Sequence, residues 1–162
     1  MQQQIELKFL STIDAKAIEW LESDCFDQHS RWTKQMIEDS IKATTSKFFG
    51  AYADGKMVGY CVIADMVQEF ELLRTCVARS CQRLGIGYKL LSFVINHLQN
   101  QITSSQPLTQ DQDYSMFLEV NADNISAQKL YEKSGFNKIC VRKNYYFEAG
   151  QYIDAIIMRL TI

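Results

Sequence analysis

The chain has 162 residues, 47% of them hydrophobic, and carries 17 lysines and arginines against 19 aspartates and glutamates, a net charge of −2. A general nucleic-acid binder would carry a basic stripe, so that balance argues against one, and the hydrophobic share is enough for one domain, residues 1–162, to build its own core. No apolar run approaches the roughly 18 residues needed to cross a bilayer, and MQQQIELKFL lacks the basic start and apolar middle of a secretory signal, so a cytoplasmic protein without a membrane partner is expected, a monomer or weak dimer.

Five cysteines, at positions 25, 61, 76, 81 and 140, form no CxxC pair, and only two histidines are present. This pattern reads as buried, reduced thiols and predicts no metal centre. Charge is uneven along the chain: residues 1–75 hold 12 acids and 8 bases, residues 76–162 hold 7 acids and 9 bases, so an anionic ligand suits the second half better.

IELKFL is a short first strand. Ile18, Leu21 and Cys25 recur at helical spacing, and a second helix is predicted from Thr33 as N-cap with Met36, Ile37 and Ile41 on one face. The acids around these helices, Glu19, Glu22, Asp24, Asp27, Glu38 and Asp39, read as a solvated face that also suits a basic peptide. KFFGAYADGKMVGYCVIADMV is two strands joined at Asp54-Gly55, a strong hairpin signal. FELLRTCVA follows as an interior strand and leads into SCQRLGIGYKLL.

Gly85 and Gly87 there stand directly ahead of an apolar helical run, Leu90, Leu91, Val94 and Leu98, that predicts a helix over residues 87–99. Two glycines at a helix start let a ligand approach amides that have no partner inside the helix, at the positive end of its dipole. A P-loop needs GxxxxGK followed by Ser or Thr, and a Rossmann turn needs a third glycine; neither is present. The polar stretch from Gln99 to Ser115 reads as a mobile loop. MFLEV is a strand, Asn124 caps a helix that presents Ala127, Leu130, Tyr131 and Ser134 on one side, Gly135 stops it, and a last hairpin turns at EAGQ. The sum is an α+β fold, a central mixed and mostly antiparallel sheet flanked by helices on both faces.

VARSCQRLGIG, from Val77 to Gly87, resembles the pyrophosphate-binding signature of the GCN5-related N-acetyltransferases, Q/R-x-x-G-x-G/A after a strand. FLEVNADNISAQKLYEKSGF resembles that family's second signature. With RKNYY and DAIIM, the pattern is most similar to the members that acetylate the N-terminal alanine of a small-subunit ribosomal protein. The resemblance implies that Gln82, Arg83, Leu84, Gly85, Ile86, Gly87 and Tyr88 hold the diphosphate of acetyl-CoA. It also implies that Asn124 contacts the carrier, that backbone amides of Thr75, Cys76 and Val77 polarise the thioester, that Glu119 accepts a proton and that Tyr131 donates one to the leaving thiolate. The implied partner is a ribosomal-protein N-terminal peptide. Two features depart from the pattern: the length of the 99–115 loop, and Ala78, Arg79 and Ser80 where acidic or proline residues are common.

Spacing alone leaves Glu119 open between a strand-end carboxylate in water and one whose pKa its apolar neighbours raise, and leaves Tyr131 open between packing and chemistry. Tyr145 and Tyr146 stand equally between cross-strand packing and an acceptor groove. With reference values near 4.3 for Glu and 8 for an α-amine, direct deprotonation is uphill by about 5 kcal/mol, and a lysine adds about 3 more, so such a base favours α-amines. An acetyltransferase for a small amine and a non-catalytic acyl-CoA-binding module are the alternatives.

Overall fold

A computed structural model describes residues 4–66, 68–105, 113–148 and 150–162. The elements run β1 (Ile5–Phe9), α1 (Ala15–Cys25), α2 (Lys34–Lys42), β2 (Ser46–Ala53), β3 (Lys56–Met66), β4 (Glu69–Val77), α3 (Ile86–Ser105), β5 (Ser115–Asn121), α4 (Ile125–Lys133), β6 (Asn137–Glu148) and β7 (Gln151–Thr161). Among the described residues the seven strands form one sheet in the order β1-β2-β3-β4-β5-β7-β6, flanked by the four helices. The β4–β5 pair is parallel and the other neighbours are antiparallel, which is the mixed sheet that the sequence predicts.

Local chemistry sets the boundaries. Asp54 and Gly55 both take positive φ, 49° and 76°, the backbone of a two-residue hairpin that follows the twist of β2 and β3. Asp14 caps α1 by accepting from the amides of Lys16 and Ala17, and Thr33 caps α2 by accepting from Met36. Strand alternation then splits the core in two. Phe48, Tyr60 and Val62 meet Ile18, Leu21 and Ile37 under α1 and α2. Phe49, Cys61 and Ile63 meet Leu90, Leu91, Val94 and Leu98 of α3 on the other face.

Four expectations need correction. The helix predicted over 87–99 runs from Ile86 to Ser105, so the first part of the proposed 99–115 loop is helical; Ile102 continues the apolar stripe, and Gln101 accepts from Lys47 at 2.6 Å. Residues 106–112 of that loop lie outside the described residues. Met36 is exposed and only Ile37 of its helix is fully buried; Ile37, with Ile41 partly buried beside it, joins the cluster of Ile18, Leu21 and Phe48, and Met36 lies off that face. Cys140 is exposed on the edge strand β6, whereas Cys61 and Cys76 are buried; all five thiols are free. Glu22, assigned to a solvated face, is 1% exposed.

The feature that positions the site is the divergence of β4 from β5. The two pair only at Glu69–Ser115, Phe70–Met116 and Glu71–Phe117. β4 then continues on β3 and β5 on β7. Leu73 is the extra residue at the break, since Ile63 faces Leu72 and Val62 faces Arg74, and such a bulge bends a strand away from its regular course. A gap therefore opens between Leu73–Val77 on one side and Leu118–Asn121 on the other.

Candidate active site

β4 delivers the chain to the N-terminus of α3, and α1 fastens the turn from behind. The Val77 carbonyl accepts from Gln82 Nε2 at 3.0 Å and from the Cys25 thiol at 3.3 Å. Asp24 accepts from the Arg79 amide at 2.7 Å. Gln82 thus uses its side-chain amide on the protein's own backbone, a role that the motif alone does not reveal.

Arg83 and Gly85 take φ of 63° and 77°, which turns the chain sharply. A Cβ at Gly85 would meet nothing within 4 Å, so that backbone faces open space, whereas one at Gly87 would touch Leu130 of α4 at 3.4 Å. One glycine clears the approach and the other seats α3 against α4. Lys89 donates to the Gly85 carbonyl at 3.0 Å, the bond that opens α3, so the amides of Ile86, Gly87 and Tyr88 precede the first helical hydrogen bond. Arg79, Arg83 and Lys89 flank the turn and no acid lies between 79 and 89. Leu84 is exposed, and the Lys133 ammonium lies 4.5 Å from the Tyr88 ring. This donor set, charge and open approach fit a diphosphate.

Thr75, Cys76 and Val77 face Cys61, Tyr60 and Gly59 of β3 and have no register partner on β5. Pairing with β5 ends after Glu71, earlier than those three residues, so the unpaired β4 edge also includes Leu73 and Arg74.

Across the gap, Phe117, Glu119 and Asn121 lie on the face of β5 opposite Met116, Leu118 and Val120, which enter the core under α3. Glu119 is half-buried. Its surroundings are not simply apolar: Arg142 of β6 reaches over β7 and donates to Glu119 Oε1. The Arg142 guanidinium also lies 5.4 Å from the Tyr145 ring, which packs edge-on against Tyr146 at 5.1 Å. Burial, then the nearby Glu119 charge, raises the Tyr146 phenol above its ordinary value.

Tyr131 projects from α4, 8% exposed, against Phe136 at 6.0 Å. Burial holds its phenol well above the usual range, so it stays protonated through neutral pH. The hydroxyl makes no hydrogen bond to another described residue, and among those residues no buried side-chain oxygen lacks a partner, so it is not fully sealed from solvent. Asn124 accepts from the Ala127 amide at 3.1 Å as N-cap of α4. Its position is at the helix mouth, exposed.

The residues that sequence reasoning missed lie on the other wall. Glu22 accepts from the Tyr60 hydroxyl, from Arg74 Nε at 2.9 Å and Nη2 at 2.6 Å, and from the Trp32 amide. Arg74 also donates to the Ser30 carbonyl at 2.8 Å and stacks 3.5 Å from the Phe26 ring centroid. One buried carboxylate therefore fixes the α1–α2 connection to the edge of β4. The signal was in the sequence: Ile18, Leu21, Glu22 and Cys25 stand at i, i+3, i+4 and i+7, and the glutamate occupies the apolar stripe. A separate cleft of about 710 Å³, lined by Ala17, Trp20, Gly55, Met57 and Ser80 among others, contains neither Glu119 nor Tyr131. Among the described residues no cluster of His, Cys, Asp and Glu is arranged to hold a metal ion, and no helix is long and apolar enough to cross a membrane.

A sheet that parts between two parallel strands, directly before a glycine turn and a helix N-terminus, is the architecture of enzymes that take an acyl group from a coenzyme A carrier. The model of the acetyltransferase (GNAT) family matches residues 15–136, and the chain belongs to that family, whose members use acetyl-CoA. A curated relative, the [ribosomal protein bS18]-alanine N-acetyltransferase of Salmonella typhimurium, is 34% identical over 110 residues, 68% of this chain and 68% of that protein. The N-alpha-acetyltransferase RimI of Mycobacterium tuberculosis is 27% identical over 93% of this chain and 88% of its own. The crystal structure of the ribosomal-protein-S18-alanine N-acetyltransferase from Escherichia coli superposes with a TM-score of 0.83 at 28% identity, covering 98% of this chain and 94% of that one.

Proposed function

We propose that this acetyltransferase acts in the cytoplasm as a single domain and moves the acetyl group of acetyl-CoA to the N-terminal α-amine of a protein, its acceptor the N-terminal alanine of ribosomal protein bS18. The observation that carries the reading is the placement of Glu119. It stands on the open face of β5, beside a gap whose other edge is the unpaired length of β4 leading to the α3 amides. An amine arriving over the open face and a thioester lying along β4 would meet at that carboxylate. The relatives that share this chain's sequence carry the names of enzymes acting on that alanine or on α-amines.

Acetyl-CoA supplies an activated carbonyl and a thiolate leaving group. The amides of Ile86, Gly87 and Tyr88, with Arg83 alongside, hold its diphosphate, and Gly85 keeps the approach free of a side chain. Unpaired amides of β4 between Leu73 and Val77 polarise the carbonyl as negative charge develops on its oxygen. Glu119 takes the proton from the attacking nitrogen. Since an α-ammonium loses its proton near pH 8 and a lysine near 10.4, the carboxylate faces a smaller uphill step with the α-amine, by roughly 3 kcal/mol. Tyr131, kept protonated by burial, donates a hydrogen bond that strengthens on the departing sulfur. The Glu22–Arg74 network holds the α1–α2 connection as the opposite wall of the acceptor entrance.

Incubating purified bS18, enzyme and acetyl-CoA, and measuring intact mass with fragment mapping, tests this. One acetyl on the N-terminal alanine is the expected product. Acetylation confined to lysine or to free small amines would replace the acceptor, and coenzyme A binding without turnover on any amine would make the protein a non-catalytic carrier-binding module.

A further inference from the structure

The last hairpin breaks register between Arg142 and Tyr146, before its strands reach the Glu148–Gln151 pair. In β6 and β7, Arg142 faces Ala155 and Tyr146 faces Ile153, so three residues of β6, Lys143 to Tyr145, stand opposite Asp154 alone. In an unbroken ladder Asn144 would face Ile153; the insertion moves Tyr146 into that place, on the same face as Arg142. Asn144 sits in the left-handed region at φ 53°, unusual for a residue other than glycine.

The Asp154 side chain fills the break. Its Oδ1 accepts from the Asn144 amide at 2.9 Å and its Oδ2 from Lys143 Nζ at 2.7 Å, while its backbone carbonyl accepts from the Ala122 amide of the neighbouring β5 end at 2.9 Å. From the break the contacts run straight to the chemistry: Tyr145 lies against Arg142 and Tyr146, and Arg142 donates to Glu119. We infer that Asp154 is a positioning residue, whose carboxylate holds the bulge of β6 in the form that sets Arg142, Tyr145 and Tyr146 around the Glu119 carboxylate and so shapes the place where the acceptor amine enters.

The inference rests on the proposed function for its kinetic part and on geometry alone for the rest. Asp154→Ala removes the acceptor from the Asn144 amide; it is expected to raise the acceptor KM about 10-fold or more, with a smaller change in kcat and an unchanged dissociation constant for coenzyme A. Asp154→Asn keeps one oxygen for that amide and loses only the exposed pair with Lys143, so it is expected to restore the acceptor KM to within about threefold of the wild type. Asn144→Gly suits the positive φ and is expected to be silent, while Asn144→Val disfavours it and reproduces the Asp154→Ala effect from the solvent side, which decides the matter if Asp154→Ala does not fold. A wild-type acceptor KM in both Asp154→Ala and Asn144→Val, an equal loss of coenzyme A affinity, or an asparagine variant as impaired as the alanine one would overturn the inference. The amide resonances of Asn144 and Tyr145 report the bulge without turnover. Were the wild type to acetylate no amine, the functional reading would fall, and unmoved resonances in Asp154→Ala would separately dispose of the positioning role.

Discussion

Two glutamate–arginine pairs flank the gap between β4 and β5, and they are built for opposite purposes. Glu22 and Arg74 are buried, with side-chain exposures of 1% and 16%, and Glu22 also satisfies Tyr60 and Trp32. Glu119 and Arg142 are far more open, at 24% and 52%, and Arg142 is the only described side chain that hydrogen-bonds Glu119. A buried carboxylate with every site occupied has nothing left to offer a substrate, and removing its partner strands a charge in the interior. An open pair exchanges partners at little energetic cost. The first pair is architecture, and the second leaves a carboxylate free to exchange its partner.

Substitutions that separate stability from turnover put the contrast at risk. Glu119→Gln is expected to lower kcat/KM by about 10²- to 10⁴-fold, the usual share of a general base, while moving folding stability by less than about 1 kcal/mol; steady-state kinetics and chemical denaturation on one preparation read both. Glu22→Ala is expected to do the reverse, costing about 3–5 kcal/mol of stability, or roughly 10 °C in the unfolding midpoint, because Arg74 and Tyr60 lose their buried partner. An unchanged midpoint would remove the distinction between the pairs.

Tyr131→Phe is expected to slow turnover by about 10- to 100-fold through loss of one hydrogen bond to developing charge. It also sharpens a pH effect. Burial raises the Tyr131 and Tyr60 phenols above the ordinary value near 10, so the folded state keeps protons that the unfolded chain releases. Their contribution is complete below about pH 10 and is lost as pH rises towards the folded-state values. Thermal unfolding followed from pH 8 to 11 should show the midpoint falling above about pH 10, less steeply in Tyr131→Phe. Gly85→Ala has the smallest expected effect, roughly 1 kcal/mol of backbone strain at φ 77° with a few-fold weaker coenzyme A affinity by calorimetry.

What the sequence displayed follows from how local each signal is. The Asp54-Gly55 turn, the Thr33 and Asn124 caps, the glycine turn and the face of Glu119 depend on neighbours within a few residues, and each has its place in the fold. The extension of α3 to Ser105 was hidden by polar residues, because Lys47 and Asp65 of distant strands take up Gln101. Arg142 lies within the RKNYY stretch, yet its hold on Glu119 crosses β7, which local spacing does not reveal. Glu22 was legible as a carboxylate in an apolar stripe, but its partner lies 52 positions away. Long-range pairs were the part that local spacing could not supply.

The most direct measurement is a titration of the ¹⁵N-labelled protein with coenzyme A, following backbone amides. The largest shifts are expected at residues 85–88 and along 73–77, with Glu119 and its strand responding only when an acceptor peptide is added. Perturbation confined to the cleft beside Trp20 and Met57, or none at all, would contradict the placement of the carrier between β4 and β5.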